Sequence, residues 1–445
     1  MSCDAWFRDA ITREGRWELD QIVYRSDAGN LLEVTHDLDA LRAQHDADGW
    51  RALWDQRYRR APYPLQSGVW GKKELVLPGI PDEHVVSLGE GATPLVHTGR
   101  YGEQLGLDEL YLKQCGTTHT GSFKDLGMTV LVSQVNHIVK SSDSGILGVA
   151  CASTGDTSAA LAAYCAAAGL PSVVLLPYAK ISPAQLIQPI ANGALTLALD
   201  TDFDGCMRLI QQLTEDRKLY LANSMNSLRV EGQKTVGIEI IQQLDWNVPD
   251  WVLIPGGNLG NVSALYKGFE ELLALGVIKR MPRVVCCQAE AANPLYRAYQ
   301  NDWAFEAITA GPTQASAIRI GDPVSLPKAV AALQKHGGMV EQASEQELAD
   351  ECALADRCGQ FTCPHTGVAL AALRKLVTAG TIRKHERVVV VSTAHGLKFS
   401  NVKADYHGDG IAGIEAHHAN RPVRLDATRD AVYDAVMRHI DTTLA

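Results

Sequence analysis

The feature that most constrains the fold is an alternation that begins near residue 108. From there on, short runs of β-branched and aliphatic residues are separated by longer stretches with helical periodicity. This order is typical of a parallel sheet covered by helices, so the predicted fold class is α/β. The candidate strands are residues 110–113, 146–151, 172–176, 251–254, 283–288 and 387–392.

Two of the intervening helices are marked clearly. One follows Lys124 and is predicted to carry four apolar residues on one face. The residues on that face are Met128, Leu131, Val135 and Ile138. The other, at residues 157–168, is rich in alanine and stops at Gly169, since a glycine caps the helix and Pro171 prevents its continuation.

The two ends of the chain lack this alternation. Residues 1–95 are interrupted by several prolines, and we predict that they form an N-terminal arm or cap. Residues 403–445 are predicted to form a peripheral tail. With 445 residues in total, the chain has room for two or three structural units of about 150 residues each.

Charge and hydropathy exclude several classes of protein. A formal net charge of −10 argues against a nucleic-acid-binding surface, which usually carries a basic excess. No apolar run reaches the roughly 18 residues of a membrane span, so no membrane association is expected. The first residues include acids that signal and transit peptides avoid, which favours the cytoplasm; a plastid is the alternative if a transit peptide has been removed.

The ten cysteines contain no C-x-x-C pair, which predicts reduced thiols rather than a disulfide framework. One cluster near the C-terminal end could be interpreted as a set of metal ligands: Cys352, Cys358, Cys363 and His365. Its spacing matches no zinc pattern, so no metal is expected.

The segment around Lys124 supports two interpretations. Ser122 and Asp125 have the spacing of a capping box, which would be purely structural. A lysine in the first turn of a helix is also disfavoured as a cation by the helix dipole, and burial would favour the amine that attacks carbonyl groups. Gly116 and Gly121 suggest half of a P-loop, but the Gly-Lys-Ser/Thr that binds phosphate is missing.

Residues 255–261, Pro-Gly-Gly-Asn-Leu-Gly-Asn, join a strand to a helical run at 262–275. Such a turn can bind phosphate, because backbone N–H groups and a helix N-terminus point at the anion. It could also be an ordinary tight turn. A dinucleotide-binding turn with Glu290 as the ribose partner is a third interpretation, although Pro255 replaces the first glycine of that motif.

Three further segments carry polar groups. In the turn at 151–158, the side chains of Ser153, Thr154 and Asp156 could cap a helix or bind a substrate carboxylate. The stretch at 223–234 contains Arg229, which is suited to phosphate binding, although the stretch could equally be a solvated loop. Thr393 ends the last strand and carries no functional weight by itself.

Taken together and in this order, these segments resemble threonine synthase, in particular its plant-like branch. The matching segments are residues 119–128, 152–157, 223–234, 255–261 and 392–398. The resemblance covers nearly the whole chain and implies a fold-type II pyridoxal-phosphate (PLP) enzyme, similar to the tryptophan synthase β chain. Two parallel-sheet domains would enclose the site within a catalytic region at 96–402, and a smaller movable subdomain would span roughly 130–230.

The resemblance also implies roles for individual residues. Lys124 would bind pyridoxal 5'-phosphate as a Schiff base and act as the general base. Asp156 would lie beside the 3'-oxygen of the ring, where many relatives have asparagine, and would need a shared proton or a nearby cation. The remaining cofactor contacts would be Gly257, Asn258, Leu259, Gly260 and Asn261 at the phosphate and Thr393 at the ring nitrogen. The substrate contacts would be Ser153, Thr154 and Thr157 at the carboxylate and Ser224, Arg229 and Asn258 at the phosphate.

The activity implied is β,γ-replacement on O-phosphohomoserine, in which water enters and threonine and phosphate leave. A homodimer and S-adenosylmethionine as an effector are also implied. Three alternatives stay open at this point: a cysteate synthase-like reaction of O-phosphoserine with sulfite, a non-catalytic PLP-binding homologue, and a nicotinamide-dependent dehydrogenase.

Overall fold

The computed structural model describes residues 4–153, 155–178 and 183–444. Its strands are β1 (Ala5–Asp9), β2 (Trp17–Glu18), β3 (Leu32–His36), β4 (Leu95–His97), β5 (Glu109–Gln114), β6 (Gly148–Ala152), β7 (Ser172–Pro177), β8 (Leu195–Leu199), β9 (Leu219–Leu221), β10 (Trp251–Pro255), β11 (Arg283–Ala289), β12 (Met339–Ala343) and β13 (Arg387–Ser392). Its α-helices are α1 (Leu38–Gln44), α2 (Ala47–Arg57), α3 (Gly99–Leu105), α4 (Lys124–Ser141), α5 (Asp156–Ala168), α6 (Pro183–Ala191), α7 (Phe203–Leu213), α8 (Leu228–Gln233), α9 (Thr235–Gln243), α10 (Gly260–Ala274), α11 (Pro294–Gln300), α12 (Leu326–Lys335), α13 (Glu345–Arg357), α14 (Pro364–Thr378), α15 (Ser400–His407) and α16 (Arg429–Leu444).

The larger sheet has six strands in the order β12-β11-β10-β13-β5-β4, parallel except for the edge strand β4. Its central strands are continuous apolar runs, because helices cover both faces. Val252 at the centre of β10 pairs with Val284 of β11 and Val389 of β13, and all three are fully buried. This sheet confirms the predicted α/β class.

The smaller sheet is fully parallel, in the order β8-β7-β6-β9. Strand β6 lies inside it and is buried along its whole length. Helix α5 packs against β6 and β7 and ends as predicted at Gly169, whose φ of 70° is the left-handed conformation of a glycine C-cap.

All six predicted strands are present, as β5, β6, β7, β10, β11 and β13, with ends that differ by two residues at most. The remaining strands of the two sheets, β4, β8, β9 and β12, were not predicted, and neither were β1, β2 and β3. Strand β9 has only three residues, and β12 carries Glu341 and Gln342 in its middle. Both lack the sustained apolar pattern from which the other strands were recognised.

The four apolar residues predicted to share one face of α4 are buried, and so are the residues on the other sides of the helix. Every residue of α4 from Asp125 to Asn136 is buried, because α5, α8 and the N-terminal residues surround the helix. Its polar residues have partners in that region. Thr129 accepts a hydrogen bond from the indole N–H of Trp70 at 2.8 Å, and Ser133 accepts one from the backbone N–H of Val86 at 2.8 Å.

Residues 4–95 contain the antiparallel sheet β2-β1-β3 and the helices α1 and α2. Trp50, Trp54 and Trp70 are buried in the same hydrophobic core as α4 and α10. At the other end, α16 is largely exposed. The division of the chain into an arm, a catalytic region and a tail stays a prediction.

The topology gathers the polar segments in one place. Strands β6, β10 and β13 end at Ala152, Pro255 and Ser392. Three of the five segments that resemble threonine synthase begin at these strand ends: residues 152–157, 255–261 and 392–398. The carboxyl ends of parallel strands are where open α/β sheets bind ligands. Two sheets and the first turn of α4 therefore converge on one cavity.

Candidate active site

The cavity is open on one side and, together with the solvent at its mouth, contains about 650 Å³ of space not occupied by protein atoms. The residues with sequence-predicted roles that line it are Lys124, Asp156, Ser224, Arg229, Gly257, Asn258, Leu259, Gly260, Asn261 and Thr393. The lining residues without a predicted role are Phe123, Val230, Gln233, Pro255, Ala317, Ile318 and His365. Seven segments that are distant in sequence, one of which carries Lys124, thus line one cavity.

Lys124 is the first residue of α4, and its side chain faces the cavity. Its Nζ lies over the ring of Phe123, 4.1 Å from the centroid, and has no hydrogen-bond partner among the described residues. Burial by the surrounding protein, followed by the positive charge of Arg229, lowers the pKa of Lys124 to about 7, against the opposing effect of Asp156. A large fraction of Lys124 is therefore the nucleophilic free amine near neutral pH.

The capping box at the start of α4 is not formed. No side chain caps this helix, and the Asp125 carboxylate instead accepts hydrogen bonds from the backbone N–H of Thr120 at 2.7 Å and from its hydroxyl at 2.5 Å. The loop before Lys124 is also attached to the segment after β13, since the N–H of Phe123 donates to the carbonyl of Thr393 at 2.8 Å. These contacts fix the position of Lys124 relative to Thr393.

The turn at residues 255–261 has the shape of a phosphate site. Leu259 has a left-handed φ of 64°, and α10 begins at the next residue. The side-chain amide of Asn261 closes the turn by donating to the carbonyl of Pro255 at 2.7 Å. A Cβ at Gly257 would lie 2.8 Å from the Cα of Ile318, so no side chain fits there.

The donors of this turn are available for an anion. The backbone N–H groups of Gly257, Asn258 and Leu259 have no acceptor in the described part of the chain. The Ser325 hydroxyl beside Gly260 is buried and also lacks a partner. Unpaired donors at the N-terminus of a 15-residue helix are what a phosphate group requires. The turn therefore fits the phosphate of pyridoxal phosphate.

Arg229 is buried in α8, where α8 crosses α4 closely. A Cβ at Gly232 would lie 1.6 Å from the carbonyl oxygen of Leu126, so this approach requires glycine. The guanidinium donates to the carbonyl of Ala222 at 3.1 Å and to the hydroxyl of Thr157 at 3.4 Å, while its Nε has no partner.

No carboxylate forms a salt bridge with Arg229 within residues 4–153, 155–178 and 183–444. Burial lowers the pKa of Arg229 to about 10, which leaves it protonated at neutral pH. A buried arginine without a counter-ion is suited to binding an anion.

The turn after β6 agrees only in part with the predicted roles. The Ser153 hydroxyl accepts hydrogen bonds from the N–H groups of Gly155 at 3.2 Å and Ser158 at 3.3 Å, so it acts as a local cap. Ser153 and Thr157 do not line the cavity, and Thr154 lies outside the described residues. Their predicted contacts with the substrate carboxylate stay predictions.

Asp156 has the nearby cation that a carboxylate in this position needs. Its Oδ1 lies 3.1 Å from the Nζ of Lys398. Sequence reasoning gave Lys398 no role, although it belongs to the matching segment at 392–398. Only the fold brings α5 next to the turn after β13.

Thr393 has polar neighbours that the sequence did not indicate. Its hydroxyl lies 4.0 Å from the Sγ of Cys363. The imidazole Nδ1 of His365 is 3.4 Å from that Sγ, and its Nε2 accepts the N–H of Ala317 at 3.0 Å. Burial raises the pKa of Cys363, but His365 and hydrogen bonds from Thr366 outweigh burial and lower it to about 7.

The cysteines considered as metal ligands serve other contacts. Cys352 contacts the Nζ of Lys403 at 2.9 Å. Among the described residues, the one group of three close ligand atoms is His36, Glu231 and Glu271. An ammonium already lies inside that group, since the Nζ of Lys234 is 2.6 Å from both carboxylates.

Comparison with known proteins identifies the family. The family described as "Pyridoxal-phosphate dependent enzyme" matches residues 86–394. The chain is 55% identical over 427 residues to "Threonine synthase 2, chloroplastic" of Arabidopsis thaliana. This alignment covers 95% of this chain and 82% of the relative. It is 38% identical to the threonine synthase of Methanocaldococcus jannaschii, over 86% of this chain and 90% of that one.

The fold is similar to the crystal structure of threonine synthase from Escherichia coli, with a TM-score of 0.67 at 19% identity; 98% of this chain and all of that chain are covered. These findings confirm the family resemblance and exclude the P-loop and dehydrogenase alternatives. The cofactor is pyridoxal phosphate. The chain therefore belongs to the pyridoxal-phosphate-dependent enzymes and, within them, to the threonine synthases.

Proposed function

We propose that this enzyme converts O-phosphohomoserine and water to threonine and phosphate. The observation that carries the proposal is the pair of Lys124 and Arg229, an amine with a pKa near 7 and a buried arginine without a counter-ion, in one cavity. The first supplies a base at neutral pH and the second a site for a phosphorylated substrate. The named activity of the relatives supports the same reaction.

In this proposal the residues lining the cavity would hold the cofactor, and Lys124 would bind its aldehyde. Residues 257–261 and Ser325 would hold its phosphate, Thr393 would donate to the ring nitrogen, and Asp156 would lie beside the 3'-oxygen. When bound, pyridoxal phosphate withdraws electrons from the α-carbon of the substrate. A neutral hydroxyl at the ring nitrogen, in place of a carboxylate, would make that withdrawal moderate.

Lys124 is proposed to move the protons. Once the substrate amine had displaced it, its Nζ could take one proton from the α-carbon and one from the β-carbon, and return protons to the γ-carbon and finally to the α-carbon. The absence of a hydrogen-bond partner among the described residues leaves its Nζ free to turn between these positions. A pKa near 7 keeps both its acid and its base form populated near neutral pH.

Arg229, Ser224 and Asn258 are proposed to bind the substrate phosphate. Arg229 has an unpaired Nε, and its Nη2 makes only a long contact of 3.4 Å. A departing phosphate dianion would acquire its full charge beside this guanidinium, which favours cleavage of the carbon–oxygen bond. Water then adds at the β-carbon to give threonine.

One experiment tests the reaction. Purified enzyme is loaded with pyridoxal phosphate and checked for visible absorbance. Release of phosphate and formation of threonine are then measured with O-phosphohomoserine, and in parallel release of phosphate and formation of cysteate with O-phosphoserine plus sulfite. Lys124→Ala is the control. Turnover confined to the second pair of substrates would reject the proposal in favour of the cysteate synthase-like reaction.

Assembly, regulation and location are further parts of the proposal. We propose a homodimer, to be tested by light scattering during size-exclusion chromatography, and activation by S-adenosylmethionine, to be tested on activity and thermal stability. No helix in the described ranges has the length and apolar character needed to cross a bilayer. The proposed location is the cytoplasm, with a plastid as the alternative because the Arabidopsis relative is named chloroplastic.

A further inference from the structure

We propose that Lys398 is a positioning residue of this site, which acts as the counter-ion of Asp156 and thereby lets a carboxylate stand beside the 3'-oxygen of the cofactor. The inference rests on the proposed placement of the cofactor in this cavity but not on the choice of substrate. It assigns a function to a buried lysine that the reaction itself does not use.

The ammonium of Lys398 has partners on three sides. It donates to the carbonyl of Thr120 at 3.0 Å and to the side-chain oxygen of Gln188 at 2.8 Å, and it forms an ion pair with the Asp156 carboxylate at 3.1 Å. The side chains of Lys398 and Asp156 are only 13% and 9% exposed. Such a pair is held in one arrangement, unlike an exposed ion pair.

The lysine is fixed by three separate parts of the fold. Its stem packs against Gly121, since a Cβ at that glycine would lie 3.1 Å from the Cδ of Lys398. Gly121 has a φ of 83°, and its carbonyl accepts the N–H of His395 at 2.9 Å. Gln188 belongs to α6 of the smaller sheet, and its side chain also donates to Thr120 at 3.1 Å. Lys398 therefore joins the loop before Lys124 to both sheet regions.

Charge balance gives this arrangement its function. A carboxylate and the 3'-oxygen of the ring are both acceptors, so an isolated Asp156 would repel that oxygen when it is ionised. The other cations in the cavity are Lys124 and Arg229. Without Lys398, Asp156 would use Lys124 as its counter-ion, which would raise the pKa of Lys124 and remove the free amine. Lys398 neutralises Asp156 and so keeps the free-amine form of Lys124 populated near neutral pH.

The test is a double-mutant cycle on the loaded enzyme with the variants Lys398→Met, Asp156→Asn and both together. We measure the dissociation constant of pyridoxal phosphate and the pH dependence of the visible absorbance of the bound cofactor. Lys398→Met is expected to weaken binding about thirtyfold, the loss that follows removal of one member of a buried charge pair. It should also shift the pH at which the visible absorbance of the bound cofactor changes.

The rescue is the decisive readout. Because Asp156→Asn removes the charge that needs a counter-ion, the double variant should bind the cofactor as tightly as Asp156→Asn alone and show the same spectrum. Lys398→Arg should remain within a few-fold of the wild type. Lys403→Met is the matched control, since Lys403 forms a similarly buried pair with Asp356 away from the cavity. It should change thermal stability but not the spectrum.

Three results would overturn the inference. The first is a Lys398→Met variant with wild-type affinity and spectrum. The second is a double variant in which the two losses simply add. The third result applies if Lys398→Met does not fold. In that case the inference is overturned if the double variant folds but does not bind the cofactor, while Asp156→Asn alone does bind it. Absence of cofactor absorbance in the wild type would instead reject the proposed site itself.

Discussion

Replacing Arg229 by methionine separates substrate binding from folding. In the substrate-free protein the guanidinium has one hydrogen bond of normal length, to Ala222, and no salt bridge with any described carboxylate. Its buried charge costs free energy that no counter-ion offsets. Methionine fills a similar volume without the charge, so we expect little loss of thermal stability in the absence of ligand.

The expected kinetic effect is large. A hydrogen bond to a charged group contributes about 1.5–3 kcal/mol, which corresponds to a roughly 10- to 140-fold increase in KM for the phosphorylated substrate. The charge of Arg229 also lowers the pKa of Lys124. Its removal should therefore raise that pKa above about 7 and move the acidic limb of the pH–rate profile to higher pH.

The assay measures phosphate release from O-phosphohomoserine between pH 6 and 9, together with inhibition by inorganic phosphate. Arg57→Met is the control, because Arg57 is also poorly exposed but pairs with Glu74 outside the cavity. If Arg229→Met keeps the wild-type KM, phosphate inhibition and pH profile, Arg229 does not contact the substrate. If it unfolds while the control does not, the account of an uncompensated charge is wrong.

Three other perturbations test separate parts of the structure. Lys124→Ala should abolish visible absorbance and turnover with an unchanged melting temperature, and in the wild type the rate of cofactor attachment, followed by absorbance, should rise through about pH 7. Gly257→Ala should lower cofactor affinity and reduce the free energy of unfolding in urea by about 1–3 kcal/mol, because the new Cβ would clash with Ile318. Gly79→Ala is the control and should have neither effect, because a Cβ there meets open space. Burial, followed by the charge of Lys234, lowers the pKa of His36 despite its contact with Glu231. Because the unfolded chain then binds a proton more readily than the folded protein, the free energy of unfolding should fall as the pH drops below about 6.5, and His36→Gln should flatten that dependence.

The parts of the fold that could be predicted are those whose sequence carries a strong local pattern. Strands β10, β11 and β13 are nearly continuous apolar runs, and their bounds differ from the predicted ones by one residue at most. Helix α4 shows the limit of this reasoning. Its periodicity predicts one apolar face, yet Thr129 and Ser133 are also buried, beneath residues from the first 95. Periodicity reports polarity, and it does not reveal which distant segment supplies the hydrogen bonds.

The same distinction divides the candidate site. Lys124 and residues 257–261 could be recognised because local chemistry constrains them: a lysine at a helix start and a turn of glycines. Lys398 and His365 could not, since each acquires its environment from a segment more than 40 positions away: Asp156 for Lys398, and the backbone of Ala317 for His365. In the turn at 153–157 the structural interpretation holds for Ser153, whose hydroxyl caps the start of α5.

The charges in the cavity explain how an acidic protein can bind anions. The chain has a net charge of −10, but once Lys398 has neutralised Asp156 the described cavity keeps the charge of Arg229 and that of the protonated fraction of Lys124. This excess persists because packing enforces it. Gly232 allows α8 to approach α4 closely, and Arg229 is buried at this crossing without a salt bridge to any described carboxylate. The free energy spent on that unpaired cation is recovered when a phosphate group binds, so stability in the free protein is exchanged for affinity at the site.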